Sequence, residues 1–189
     1  ATPENEYRTK RLNQWVSSAQ AWLPSGAFDQ LKTRPAPADG DEIVLAFDGS
    51  RRNDSTALVG CRIGEPAVFL VDCWEKDGDG EWRVPVEDVQ RSVADAFSKW
   101  DVRRMVCDPW GWDREISEWR EAFGEEVVVD FPPTRQRMIP ACRMFYEAVM
   151  EGFLVHDGSE VLARHLRNCV TKATAEGDYI VKEVKTRKI

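Results

Sequence analysis

Three short apolar runs follow one another with connections too brief to hold a helix, and this limits the fold more than any other feature of the chain. Glu42–Asp48 (EIVLAFD), residues 55–63 (STALVGCRI) and Ala67–Trp74 (AVFLVDCW) each read as a strand. Gly64, Glu65 and Pro66 mark a turn between the last two. Strands joined this closely pair antiparallel, because a parallel neighbour needs a crossover of about a dozen residues or more. The expectation is a three-stranded antiparallel meander.

The spacing then becomes helical. Val86, Val89, Val93, Phe97 and Trp100 recur at three- and four-residue intervals behind Pro85, which suits the first turn of a helix. A strand over 102–107 follows, closed by Asp108-Pro109. Next comes a helix carrying Ile116, Trp119 and Phe123, with Gly124 as its stop. A strand over 126–131 ends at Pro132-Pro133. Beyond it the pattern predicts a helix over about 136–151, a strand over 153–156, a helix over 159–174 and an amphipathic edge strand over 179–185. Meander first, alternation afterwards, predicts a mixed α/β sheet extended by parallel strands, with helices on both faces. It also predicts that the first strand and the 102–107 strand lie side by side.

The first forty residues differ. Leu12, Trp15, Trp22, Leu23 and Phe28 show no sustained period, and LKTRPAPADGD with Pro35, Pro37 and Gly40 reads as a linker or exposed loop. The reading places a boundary near residues 32–41, with 1–40 as a tail and 41–189 as the regular domain.

That predicted neighbourhood of strands matters because each ends in an acid. Asp48 closes a buried apolar run and precedes Gly49-Ser50; Asp108 does the same sixty residues later in VCDPWGWD. A carboxylate at such a position is costly unless paired, hydrogen-bonded or bound to a metal. Two converging carboxylates repel, so each pKa rises unless a cation intervenes. A pair of Mg²⁺ or Mn²⁺ ions about 4 Å apart relieves that repulsion and supports phosphodiester hydrolysis. Asp54, in DGSRRNDSTAL, stands across the expected hairpin, either as a further ligand or as an ordinary turn acid. Asp113 is expected to cap the helix that follows it.

The net charge of −7, from 26 basic and 33 acidic residues, argues against tight nucleic-acid binding by charge alone. It does not argue against metal-assisted chemistry, since bound ions reverse the local field. Arg51, Arg52, Arg135, Arg137 and Arg143, and the terminal Lys182, Lys185, Arg187 and Lys188, are candidate phosphate contacts; Arg51, Arg52 and Lys185 rank first by expected position. Trp100 and Trp119 read as core, while Trp110 and Trp112 can pack on DNA or beneath the acids. His165 reads as a helix-surface residue, with proton transfer or phosphate contact as the alternative. The five cysteines are an odd number without a CxxC pair, and with only two histidines a zinc site is not expected. No apolar run reaches the roughly 18 residues of a membrane span, and the N-terminus shows no signal-peptide pattern. The reading is a soluble cytoplasmic protein.

At DGSRRNDSTALVG together with MVCDPWGWDREISEW, the chain resembles the large subunit of tailed-phage terminases, DNA-packaging motors with an N-terminal ATPase and a C-terminal ribonuclease H-like nuclease. RLNQWVSSAQAWLPSGAFD resembles the stretch that ends the ATPase part. The resemblance implies that Asp48 is the first metal ligand, Asp108 the second acidic ligand and Asp54 an auxiliary carboxylate. It implies two divalent ions, Mg²⁺ or Mn²⁺, and concatemeric double-stranded viral DNA as substrate. The ATPase domain of the same polypeptide, the portal protein and the terminase small subunit are the implied partners, in the host cytoplasm. The family's third ligand, an Asp opening a late helix, is expected beyond Ile189, so the domain is expected to be truncated there. No GxxxxGK[ST] loop is present, so no ATP hydrolysis is expected. Two other readings stay open: another ribonuclease H-like nuclease, such as a resolvase or transposase-like enzyme, and an inactive domain that binds DNA or the portal.

Overall fold

The structure is a computed structural model and describes residues 21–52, 54–76, 78 and 80–182. The meander forms as expected. β1 (Glu42–Asp48) pairs antiparallel with β2 (Thr56–Arg62), and β2 pairs antiparallel with β3 (Ala67–Trp74). β4 (Asp101–Cys107) lies parallel beside β1, and β5 (Val128–Asp130) parallel beside β4. On the far side β6 (Val155–His156) lies parallel to β3. The six strands run in the order β5-β4-β1-β2-β3-β6.

Alternation along the strands sorts side chains onto two faces. Ile43, Leu45 and Phe47 of β1 are buried, whereas Val44, Ala46 and Asp48 between them are exposed. The buried set joins Leu58, Phe69, Val102 and Met105 under two helices. These are α1 (Val86–Lys99), which inserts Val89, Val93 and Ala96, and α2 (Asp113–Phe123), which inserts Ile116 and Trp119. Trp100 and Trp119 are core residues, as their spacing predicted. On β3, Phe69 joins this core while its neighbour Val68 faces a second one. That smaller cluster is built from Leu23, Phe28, Leu154, α3 (Arg135–Met150) through Val149, and α4 (Glu160–Arg167) through Ala163. Helices therefore cover both faces, and the fold is the mixed α/β sheet expected from the sequence.

The C-terminal third departs from the prediction. The helix expected over 159–174 ends at Arg167, and residues Cys169–Thr174 form β7 instead. β7 pairs antiparallel with β8 (Gly177–Lys182) in a separate two-stranded sheet. The segment predicted as an edge strand is thus a hairpin arm packed on α3, away from the main sheet. Val170, Thr171 and Thr174 are β-branched and favour strand over helix. The Thr174 hydroxyl closes the turn by donating to the Gly177 carbonyl at 2.6 Å. Asp113 is also corrected: it is the first residue of α2, without a side-chain capping bond.

Candidate metal centre

Parallel pairing of β1 with β4 sets their C-terminal ends at one edge, with Phe47 opposite Cys107. The Asp108 N–H extends this ladder by donating to the Phe47 carbonyl at 3.0 Å. Asp108 then fixes its own turn, its Oδ1 accepting from the Trp110 N–H at 3.1 Å. Among the described residues neither oxygen of Asp48 accepts a hydrogen bond. The β1–β2 connection is closed by Thr56, whose hydroxyl accepts from Ser50 N–H at 3.0 Å and donates to the Ser50 carbonyl at 2.9 Å. This turns the loop back so that Asp54 faces the same edge.

Burial raises the Asp48 pKa above its ordinary value, and the neighbouring Asp108 and Asp54 carboxylates raise it further. Lys182 at the end of β8 acts in the opposite direction. Asp48 still touches solvent, so protein crowds its carboxyl without sealing it from ions. The adjoining ends of β1 and β4 bring Asp48 and Asp108 together, as the strand order predicted, and Asp54 stands close enough to act on Asp48 as well. Lys182 enters this group directly through an ion pair between its ammonium and Asp54 Oδ2. Carboxylate oxygens that repel one another and lie open to solvent are what a hard divalent ion can bind and relieve.

Beneath the carboxylates lies Trp112, fully buried against Phe47 and Trp119. It passes so close to the end of β1 that a Cβ on Gly49 would lie 2.3 Å from its Nε1, which is why glycine follows Asp48. Trp110, by contrast, is 80% exposed beside Asp108.

The cations divide. Arg51 is engaged within the protein: it pairs with the buried Glu115, donates to the Gly111 carbonyl at 2.7 Å and stacks 3.9 Å over Trp112. Arg52 is exposed on the same loop, forming a bridge with Arg83. Arg135 opens α3 and is exposed, 5.9 Å over the Tyr179 ring, so it stands by the hairpin. Lys185, Arg187 and Lys188 lie outside the described residues.

Sequence reasoning passed over Glu75. It follows β3, whose C-terminal end shares the edge of β1 and β4, so the rule that singled out Asp48 and Asp108 also applies to it. Glu75 accepts from Ser55 Oγ at 3.0 Å, pairs with Arg164, and lies 2.9 Å from His165 Nε2. Burial pushes its pKa up, but Arg164, Ser55 and His165 outweigh burial and hold it below the ordinary value. Its oxygens are thus occupied, and although Cys73, Glu75 and His165 offer ligand-type atoms within 4.8 Å of one another, the cluster is a hydrogen-bonded anchor for α4. His165 is not a surface histidine: its side chain is 12% exposed. The five cysteines are free thiols.

A three-stranded meander extended by parallel strands is the ribonuclease H-like fold, and the chain has it. It is the fold of phage large terminase nucleases in particular. The chain matches the HK97 bacteriophage large terminase with a TM-score of 0.71 and 22% identity, covering 95% of this chain and 43% of that one. It matches the large terminase nuclease from thermophilic phage G20c with a TM-score of 0.58 and 16% identity, covering 89% and 95%. That nuclease is also known with bound magnesium and with bound cobalt. In sequence the chain is 31% identical over 201 residues to the Gene 13 protein of Mycobacterium phage D29, covering 95% of this chain. It is likewise 31% identical over 188 residues to the Gene 13 protein of Mycobacterium phage L5. The chain spans about a third of the length of these relatives, 34% and 32%. No protein-family model matches it.

Proposed function

We propose that this chain is the nuclease part of a tailed-phage terminase large subunit and cuts concatemeric double-stranded viral DNA during genome packaging. The observation that carries the reading is the convergence of Asp48, Asp108 and Asp54 at the edge where β1 and β4 end side by side. The likeness to terminase nucleases, one of them known with magnesium, supports it.

Asp48, Asp108 and Asp54 would hold two divalent ions, Mg²⁺ or Mn²⁺. When bound, such ions activate water and neutralise charge developing on a phosphodiester. The chain's own residues do the positioning. Asp48 is fixed by β1, Asp108 by its bond to Phe47, and Asp54 by the Ser50–Thr56 closure. Arg52 and Arg135, both exposed, are proposed DNA contacts, as is Lys185; Arg51 serves chiefly to brace Trp112 and Glu115. The proposed organisation is a tail of the preceding ATPase domain over residues 1–40 and the nuclease domain over 41–189. The proposed partners are that ATPase domain, the portal protein and the terminase small subunit, in the host cytoplasm. No helix among the described residues is long and apolar enough to cross a membrane.

Supercoiled plasmid incubated with the chain and Mn²⁺ or Mg²⁺ tests the reading. Nicked and linear products are expected, suppressed by EDTA and absent with Asp48→Asn. Cleavage that is equal in wild type and Asp48→Asn, or absent from both in this chain and in the full-length protein alike, would refute it.

A further inference from the structure

The α4–β7–β8 unit is fastened to the carboxylate edge at two points. At its start, Arg164 and His165 of α4 hold Glu75 beyond β3. At its end, Lys182 of β8 holds Asp54. The two fastenings are linked: Asp54 Oδ1 accepts from the Ser55 N–H at 2.9 Å, and Ser55 Oγ donates to Glu75. Only the second uses an acid that faces Asp48. The hairpin between them is otherwise packed on α3 and bonded to Trp22, whose N–H donates to the Cys169 carbonyl at 3.0 Å.

An ammonium group is a compact charge with three donors and no lone pair. It can occupy the same carboxylate position as a divalent ion, but the two cannot share it without strong like-charge repulsion. Lys182 is 26% exposed and Asp54 37%, so the contact lies partly out of water, where that repulsion is less screened.

We propose that Lys182 and a divalent cation compete for Asp54, so that filling this arm of the metal centre releases the β8 end of the hairpin. The inference rests on the metal centre proposed above. Asp48 and Asp108 remain able to bind an ion while Lys182 is docked; the Asp54 arm fills only when Lys182 leaves. The Glu75 fastening stays closed, so the motion is confined to the hairpin and its last strand. Linkage makes the effect reciprocal: whatever factor Lys182 takes from metal affinity, metal takes from hairpin docking.

The test is calorimetric titration of Mn²⁺ into wild type and Lys182→Met, with amide exchange across Cys169–Lys182 measured in each, with and without Mn²⁺. Methionine keeps the apolar stem and removes the charge. The expected result is Mn²⁺ binding roughly tenfold tighter in Lys182→Met, within the usual range of coupling between sites. In wild type, Mn²⁺ should speed hairpin exchange; in Lys182→Met, exchange should be fast already and insensitive to Mn²⁺. Asp54→Asn opens the same contact from the other side and should also give fast exchange indifferent to Mn²⁺. Equal Mn²⁺ affinity in wild type and Lys182→Met, or hairpin exchange that Mn²⁺ leaves unchanged in wild type, overturns the competition while leaving the metal centre standing. Failure of both proteins to bind Mn²⁺ overturns the metal centre and the competition together.

Discussion

Asp108 hangs from Phe47: its backbone N–H donates to the Phe47 carbonyl at 3.0 Å, which fixes it beside the residue that follows Phe47, Asp48. Two acids are thereby held together by main-chain geometry, and side-chain movement gives them only limited freedom to separate. Phe47 itself is locked between Trp112 and Trp119, with ring centroids at 4.9 and 5.1 Å. The core holds the acids at the edge in a position they would not choose on electrostatic grounds.

The first consequence is a stability gain on removing charge. The Asp48 pKa is raised in the folded chain above 3.8, by burial first and then by Asp108 and Asp54. Its favourable contribution is therefore complete below that pH and is lost as pH rises through the folded value. Asp48→Asn should melt at a higher temperature than wild type at pH 7 without metal, by a few degrees at most given the solvent at the site. The difference should vanish near pH 3. Thermal melts across pH in EDTA give the comparison; a lower melting temperature for Asp48→Asn at pH 7 would contradict it.

Glu75 should behave in the opposite way. Its pKa lies below 4.5, with Arg164, Ser55 and His165 outweighing burial. Its contribution is present above that value and lost as pH falls through the folded one. Glu75→Gln should cost about 1–2 kcal/mol at pH 7, the scale of lost charged hydrogen bonds. Urea unfolding at pH 7 and at pH 3 should show this cost shrinking at the lower pH.

Trp112 should matter more than its distance from chemistry suggests. Trp112→Ala should cost about 3–5 kcal/mol, as large core truncations do. Gly49→Ala should cost about 1–3 kcal/mol through overpacking, because its Cβ would meet the Trp112 ring at 2.3 Å. Arg51→Ala should cost about 1–3 kcal/mol by leaving the Glu115 carboxylate without its partner at a partly buried site. Denaturant titrations rank the three, and an Arg51→Ala cost above that of Trp112→Ala would reverse the assignment.

Thiol chemistry gives a separate check on packing. Burial pushes the Cys107 and Cys169 thiols up to about 12. Both should resist a thiol-specific reagent at pH 8 in the native chain and react on unfolding, as mass spectrometry of the labelled peptides can show.

Most of the sheet was legible because its signals are local. Short apolar runs with brief joints give β1 to β3, and period-three-to-four spacing behind Pro85 gives α1. Asp48 and Asp108 were legible because strand-end acids stand out against apolar runs. The stretch after Arg167 misled because Val170 and Ala173 continue the spacing of Leu162 and Leu166, so helical periodicity runs on past the point where the chain turns into β7. Pairing with Gly177–Lys182 across a two-residue turn decides between the two, a local hairpin signal that the helical spacing masked. The Lys182–Asp54 contact joins positions 128 residues apart, so no local pattern carries it. Glu75 was within reach: an acid following the third strand obeys the same rule as the other two.

The central claim is that Asp48 and Asp108 share a metal. Anomalous diffraction from crystals soaked in Mn²⁺ tests it directly. The account predicts a manganese peak at about 2.1 Å from carboxylate oxygens of both Asp48 and Asp108, lost in Asp48→Asn. Manganese bound only at the Cys73–Glu75–His165 cluster, or no peak at the β1–β4 edge at saturating Mn²⁺, would contradict it.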